Sequence, residues 1–188
     1  MARRRARRRN YSFNRYAETN RSRDIAVSAA KWAVEILIVV LLAFLTVQMV
    51  GQTLTVRGES LEETYKDGDV VLVNKLIYKL ADPKRYDMVA FRTDSDGAHY
   101  SIKRVVGVPG DTVIIEDGIL KINGEALEAF PAFSRIKYAG LADEEILLGK
   151  NEYFVMGDNC NNSEDSRIAS VGNIKRENMI GKVQMKLR

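Results

Sequence analysis

The chain has 188 residues and a formal net charge of +4, with 29 Lys and Arg against 25 Asp and Glu. That is room for one modest domain and an appendage. An apolar content of 46% excludes disorder throughout, and the single cysteine, Cys160, excludes an intramolecular disulfide and any multi-cysteine zinc site.

The charge is unevenly placed. Residues 1–24, MARRRARRRNYSFNRYAETNRSRD, hold nine arginines against Glu18 and Asp24, a net of +7, so the remainder carries −3. Such a tail can neutralise nucleic-acid phosphates. The next segment gives it another use. WAVEILIVVLLAFLTVQMV follows at 32–50, and no residue from Ile36 to Val56 is charged. A helix crossing a bilayer needs about 20 predominantly apolar residues. A buried soluble helix usually keeps a polar face, and Ile36–Val47 has none. A cleaved signal peptide needs a shorter apolar region and a small-residue site, and QMVGQTLTV offers no Ala-x-Ala. The segment is therefore predicted as an uncleaved transmembrane anchor over 31–51. The arginines put the tail, 1–30, in the cytoplasm and residues 52–188 across the membrane. Nucleic acid is not an expected partner on this reading.

Beyond Val56 the pattern changes to short strands. DVVLVNKLIY (69–78), YDMVAFRT (86–93), HYSIKRVVGV (99–108), EYFVMGD (152–158) and MIGKVQMKL (179–187) each read as one. TVIIEDGILKING (112–124) reads as a hairpin turning at Asp117-Gly118, a pair suited to a type I′ turn, with a second turn at Asn123-Gly124. FPAFSRIKYAGLADEEILLGK (130–150) has no clear period and reads as a variable excursion. The pattern points to an antiparallel sheet or barrel.

Three stretches could carry chemistry. VRGESLEETYKDGD (56–69) places Ser60 in a turn. A Ser-His-Asp triad would need His99, the only histidine, and nothing around His99 marks a site. One histidine and one cysteine cannot fill an ordinary zinc shell, so no metal or cofactor is expected. SIKRVVGVPGD sets two cations, Lys103 and Arg104, inside an apolar strand. Alternation sends them to opposite faces, so one is expected on a partly buried face. A buried lysine loses proton affinity and can serve as a general base, activating a serine without histidine. A surface lysine at a strand edge remains the plain alternative. GDNCNNSEDSR (157–167) is polar enough to be a solvated loop. Yet Asp165 and Arg167 have the spacing of an ion pair bracing an extended loop, and the Ser163 hydroxyl suits an amine's orienting partner.

Together, in this order behind one anchor, the three stretches resemble type I signal peptidase (leader peptidase), in the compact form of Gram-positive bacteria. The resemblance covers roughly residues 30–185 and is close in Lys103-Arg104-Val105-Val106-Gly107-Val108-Pro109-Gly110-Asp111 and in Gly157-Asp158-Asn159, Asn162-Ser163 and Asp165-Ser166-Arg167. It implies a mainly β fold: one N-terminal transmembrane helix, then an antiparallel β-sheet or barrel-like catalytic domain. It implies a membrane-bound serine endopeptidase that removes signal peptides after small residues at −1 and −3. Ser60 is then the nucleophile and Lys103 the general base, with Ser163 orienting the amine. Asp158, Arg104, Asp165 and Arg167 hold the framework by polar pairing. The Ser60 backbone N–H serves the oxyanion, and Gly58 has no hydroxyl to add. Val56, Leu61 and Ile102 line the substrate pocket. The implied partners are signal-peptide-bearing preproteins, the bilayer and the secretion translocon.

The serine box departs from the family pattern. Leu61 stands for methionine, Glu63 for proline and Tyr65 for leucine, and Cys160-Asn161 replaces a charged pair. None of these removes a group that does chemistry. They leave open a specialised or inactive paralogue, or a non-catalytic membrane-anchored β-domain.

Overall fold

The computed structural model describes residues 23–45, 51–62, 64–93, 100–127 and 135–188. The arginine-rich tail to residue 22, the end of the apolar run at 46–50, Glu63, His99 and the start of the expected excursion lie outside the described residues. The chain divides into two units, 1–49 and 50–188.

The described residues of the first unit form one helix, α1 (Arg23–Leu45). At 1.5 Å per residue it is about 35 Å long, enough for a bilayer's hydrocarbon core. Its apolar side chains are exposed all round, from 48% at Leu45 to 66% at Leu37. The helix starts earlier than the expected anchor. The helix continues back through IAVSAA, where Ala26, Ala29 and Ala30 favour it and no Gly or Pro interrupts it.

The second unit is built of antiparallel strands. β1 (Gly51–Thr55), β2 (Val70–Asn74), β3 (Met88–Arg92), β4 (Tyr100–Gly107), β9 (Glu152–Met156), β10 (Ile174–Lys175) and β11 (Met179–Lys186) form one sheet, ordered β1-β2-β11-β3-β4-β9-β10. β5 (Thr112–Glu116), β6 (Ile119–Ile122), β7 (Glu125–Ala126) and β8 (Ile146–Leu147) form a second, ordered β7-β6-β5-β8. The β5–β6 hairpin turns where expected, with Asp117 and Gly118 both at positive φ, 53° and 77°.

The large sheet is covered on both faces. In β3, Met88 and Ala90 join one apolar cluster with Val56, Leu61 and Ile102, while Val89 and Phe91 join another with Val105 and Val155. This is period-two alternation with both faces buried. β4 crosses between layers. Its end turns at Val108–Asp111, where Asp111 Oδ2 accepts from the Val108 N–H at 2.7 Å and Oδ1 accepts from Asn123 Nδ2 at 2.9 Å. The end of the lysine stretch therefore joins the two sheets.

Two expectations change. The stretch 69–78 is not one strand, because Asn74 Oδ1 accepts from the N–H groups of Leu76 and Ile77, 2.9 and 3.2 Å away, and bends the chain into the short helix α2 (Ile77–Leu80). The described part of the expected excursion is built into the core. β8 pairs with β5, and Ile136, Ala142 and Leu148 are buried with the second sheet. Its apolar residues have no period because they come from loops and a short 3-10 turn (Gly140–Asp143).

Candidate active site

Ser60 sits in the loop joining β1 to β2. The ladder of these strands continues one step past Thr55, through Val56 N–H to Asp69 O (2.8 Å) and Gly68 N–H to Val56 O (3.0 Å). Beyond it the loop is closed by Gly58 N–H donating to Asp67 Oδ1 at 2.8 Å. A helical turn follows, with the N–H groups of Thr64 and Tyr65 both donating to Leu61 O at 2.7 Å. Leu61, 1% exposed, anchors this turn in the core. Ser60 is thus fixed between a closed loop and a buried leucine.

Lys103 reaches it from β4. Lys103 lies opposite Val89 of β3, on the face of Val105, and Arg104 lies opposite Met88 on the other face. Both cations are buried, Lys103 at 6% and Arg104 at 8% exposure, where only one was expected to be. The sheet is covered on both sides at this point, so alternation offers neither side chain a wet face. Lys103 Nζ and Ser60 Oγ are 2.6 Å apart. Burial pushes the amine down from its ordinary 10.5 to about 8, opposed by the carboxylates of Asp165 and Glu164 and helped by Arg167. At mildly alkaline pH the amine is largely neutral and can accept the serine proton.

The polar stretch at 157–167 braces both groups. Asp158 is fully buried and takes a two-pronged ion pair from Arg104, Nε and Nη2 each 2.7 Å from a carboxylate oxygen. Thr64, to which no role was assigned from the sequence, donates its hydroxyl to the same carboxylate. Asp165 and Arg167 form a second buried pair at 2.8 and 2.9 Å, as their spacing suggested. Asp165 also accepts from the Gly157 N–H at 3.1 Å. Asn159 and Asn162, part of the family pattern but given no role, hold the serine loop. The Asn159 N–H donates to Ser60 O at 3.0 Å, its Nδ2 donates to Glu59 O at 3.2 Å, and Asn162 Nδ2 donates to the Glu59 carboxylate at 2.9 Å. Composition hides these bonds, because a solvated loop uses the same residue types.

Ser163 differs from its expected role. Its Oγ is buried and has no hydrogen-bond partner among the described residues, so the contact to the amine is not made. The hydroxyl lies over Gly157, where an added Cβ would collide with it and stand 2.6 Å from Ser60 O. Cys160 and Asn161 replace a charged pair with other contacts. Cys160 is buried in the apolar core, and its carbonyl accepts from Arg167 Nη2. Asn161 Oδ1 accepts from the Lys137 N–H at 2.9 Å.

Two clefts meet at Ser60 and Lys103. One, of about 190 Å³, is lined by Val56, Leu61 and Ile102. The three residues expected to line a substrate pocket therefore share one small recess beside Ser60, with polar side chains at its mouth, among them Thr55, Ser101 and Arg57. The other, of about 370 Å³, is lined by polar and charged side chains.

Residues 29–187 match the family described as signal peptidase, peptidase S26. The chain belongs to this family. It is 36% identical to signal peptidase I T of Bacillus subtilis (strain 168) over 159 residues, 80% of this chain and 81% of that protein. It is 34% identical to signal peptidase I of Bacillus licheniformis over 165 residues, 84% of this chain and 87% of that protein. Among solved structures, signal peptidase I from Enterococcus faecalis V583 is similar at 28% identity and a TM-score of 0.45, covering 55% of this chain and 98% of that one. The S26 family match spans all three stretches that build the site and most of α1.

Proposed function

We propose that this protein is a membrane-anchored serine endopeptidase that cleaves signal peptides from exported preproteins, using Ser60 as nucleophile and Lys103 as general base. The observation that carries this reading is the 2.6 Å approach of Lys103 Nζ to Ser60 Oγ, with the amine buried and its proton affinity lowered to a pKa of about 8.

The chemistry runs in two halves. The neutral Lys103 amine takes the proton of Ser60 as Oγ attacks the scissile carbonyl. The resulting ammonium returns the proton to the leaving amine, and the peptide bond breaks to leave an acyl-enzyme. Water then attacks the ester, giving its proton to the same amine, and Ser60 is released with the signal peptide's new carboxylate. The Ser60 backbone N–H meets no acceptor among the described residues and is the candidate donor to the oxyanion. The Gly58 N–H is committed to Asp67 and is not the second donor in this geometry.

The recess of Val56, Leu61 and Ile102 supports a preference for small apolar residues at −1 and −3. The Arg104–Asp158–Thr64 and Asp165–Arg167 groups act by holding the serine loop and β4 in register. Helix α1 is the anchor, with the arginine tail on the cytoplasmic side and the peptidase unit across the membrane. On that side the substrate arrives as it leaves the secretion translocon.

The test is cleavage of a preprotein by the full-length protein in detergent micelles, compared with Ser60→Ala and Lys103→Ala. Both variants should lose at least about a thousandfold in kcat. Processing unchanged in Lys103→Ala would overturn the mechanism.

A further inference from the structure

The second cleft at Ser60 has its own chemistry. It shares Arg57, Ser60, Ser101 and Lys103 with the recess. A bound peptide puts its acyl side in one of the two and its leaving side in the other. On the proposed mechanism the recess holding Val56, Leu61 and Ile102 takes the acyl side, so the second cleft receives the first residues of the mature chain. Its walls carry two exposed carboxylates, Glu59 and Glu164, and one exposed guanidinium, Arg57. With Lys103 neutral in the active form, the described lining has one net negative charge.

We propose that this cleft is a subsite that reads charge just after the scissile bond, favouring a basic side chain at the first or second mature residue through Glu164 and Glu59. The Glu59 carboxylate accepts from the neutral amide of Asn162, 2.9 Å away, and not from a cation. Glu164 acts at the catalytic end. Burial lowers the proton affinity of Lys103, and Glu164 is second only to Asp165 among the charges that raise it again. Asp165 is buried and ion-paired to Arg167, whereas Glu164 is exposed at the cleft wall. A lysine or arginine of the substrate therefore meets a carboxylate there, and an aspartate or glutamate meets repulsion. Arg57 lines both clefts and so limits the preference by its own positive charge.

This inference rests on the serine–lysine peptidase reading, and the experiment separates the two. Peptides identical up to −1 and carrying Lys, Gln or Glu at +1, or at +2, are cleaved by the full-length protein in detergent micelles at low salt. The readout is the ratio of kcat/KM between the Lys and Glu peptides, which is independent of how much folded enzyme each variant yields. The wild type should prefer Lys over Glu by about 3- to 10-fold, less in high salt. Glu164→Gln should shrink the ratio, and Glu164→Lys should bring it to unity or reverse it. A ratio near one in the wild type, or one unchanged in Glu164→Lys and in the Glu59→Gln/Glu164→Gln double variant, would overturn the subsite. Failure to cleave any of the peptides, or cleavage surviving in Ser60→Ala, would overturn the parent reading instead.

Discussion

Lys103 Nζ stands 2.6 Å from Ser60 Oγ across 43 residues of sequence, the serine within the β1–β2 loop and the lysine mid-strand in β4. The amine is deep enough for burial to bring its pKa to about 8 and close enough to take a proton without rearrangement.

The pH profile follows directly. On the proposed mechanism the active form has a neutral amine, so kcat/KM should rise about tenfold per unit below pH 8 and level off above it. Initial rates between pH 6 and 10 check this. Lys103→Arg should be inactive across the range, because a guanidinium stays protonated. A profile that is flat from pH 6 to 9 would remove Lys103 as the base.

The same burial costs stability. Below about pH 8 Lys103 is protonated in both folded and unfolded chains, and the folded state bears a buried ammonium. Between 8 and 10.5 the folded state gives up its proton while the unfolded state keeps it, so folded stability rises with pH across that window. Lys103→Met should therefore stabilise the fold by about 2–3 kcal/mol at pH 7 and by clearly less at pH 10, while abolishing cleavage. Urea unfolding at the two pH values is the measurement, and an equal gain at both would contradict the assigned cause.

Gly157 is held small by Ser60. An added methyl would stand 2.6 Å from Ser60 O and collide with the Ser163 hydroxyl. Gly157→Ala should displace the serine loop and lower kcat by about 10- to 100-fold, because a small misplacement of the proposed nucleophile, Ser60, is costly. The fold should lose only about 1–3 kcal/mol. Paired measurements of kcat and unfolding midpoint separate the two effects.

Among the described residues the fully buried Asp158 has one ion-pair partner, Arg104, and one hydroxyl donor, the exposed Thr64. Arg104→Ala leaves a buried carboxylate uncompensated and should cost about 3–5 kcal/mol. Thr64→Val should cost about 1–3 kcal/mol, and Thr64→Ser should restore most of it. Denaturant titration of the three variants tests the order, and a neutral Thr64→Val would show that its hydroxyl contributes nothing to the carboxylate.

Much of the frame was legible because local chemistry dictates it. The Asp117-Gly118 turn needed two residues tolerant of positive φ, and the structure has them there. The alternation of β3 was visible because Met88, Val89, Ala90 and Phe91 must divide between two faces. The strand 69–78 was overextended because Asn74 acts through a side-chain bond that an apolar pattern does not register. The roles of Asn159, Asn162 and Thr64 were hidden for a similar reason, since each bonds a residue about a hundred positions away.

The sequence by itself determined the apolar helix, the strand-rich body and three polar stretches whose residue types belong to a serine–lysine site. Hydrophobic period, turn residues and charge are local properties, so they survive in one dimension. Only the tertiary structure decided that Lys103 and Arg104 are both buried, that Ser163 stands over Gly157 without bonding the amine, and that Glu59 and Glu164 face the same cleft as Ser60. Burial and distance set the proton affinity of a lysine, and both are properties of the packed chain that no stretch of residues carries alone.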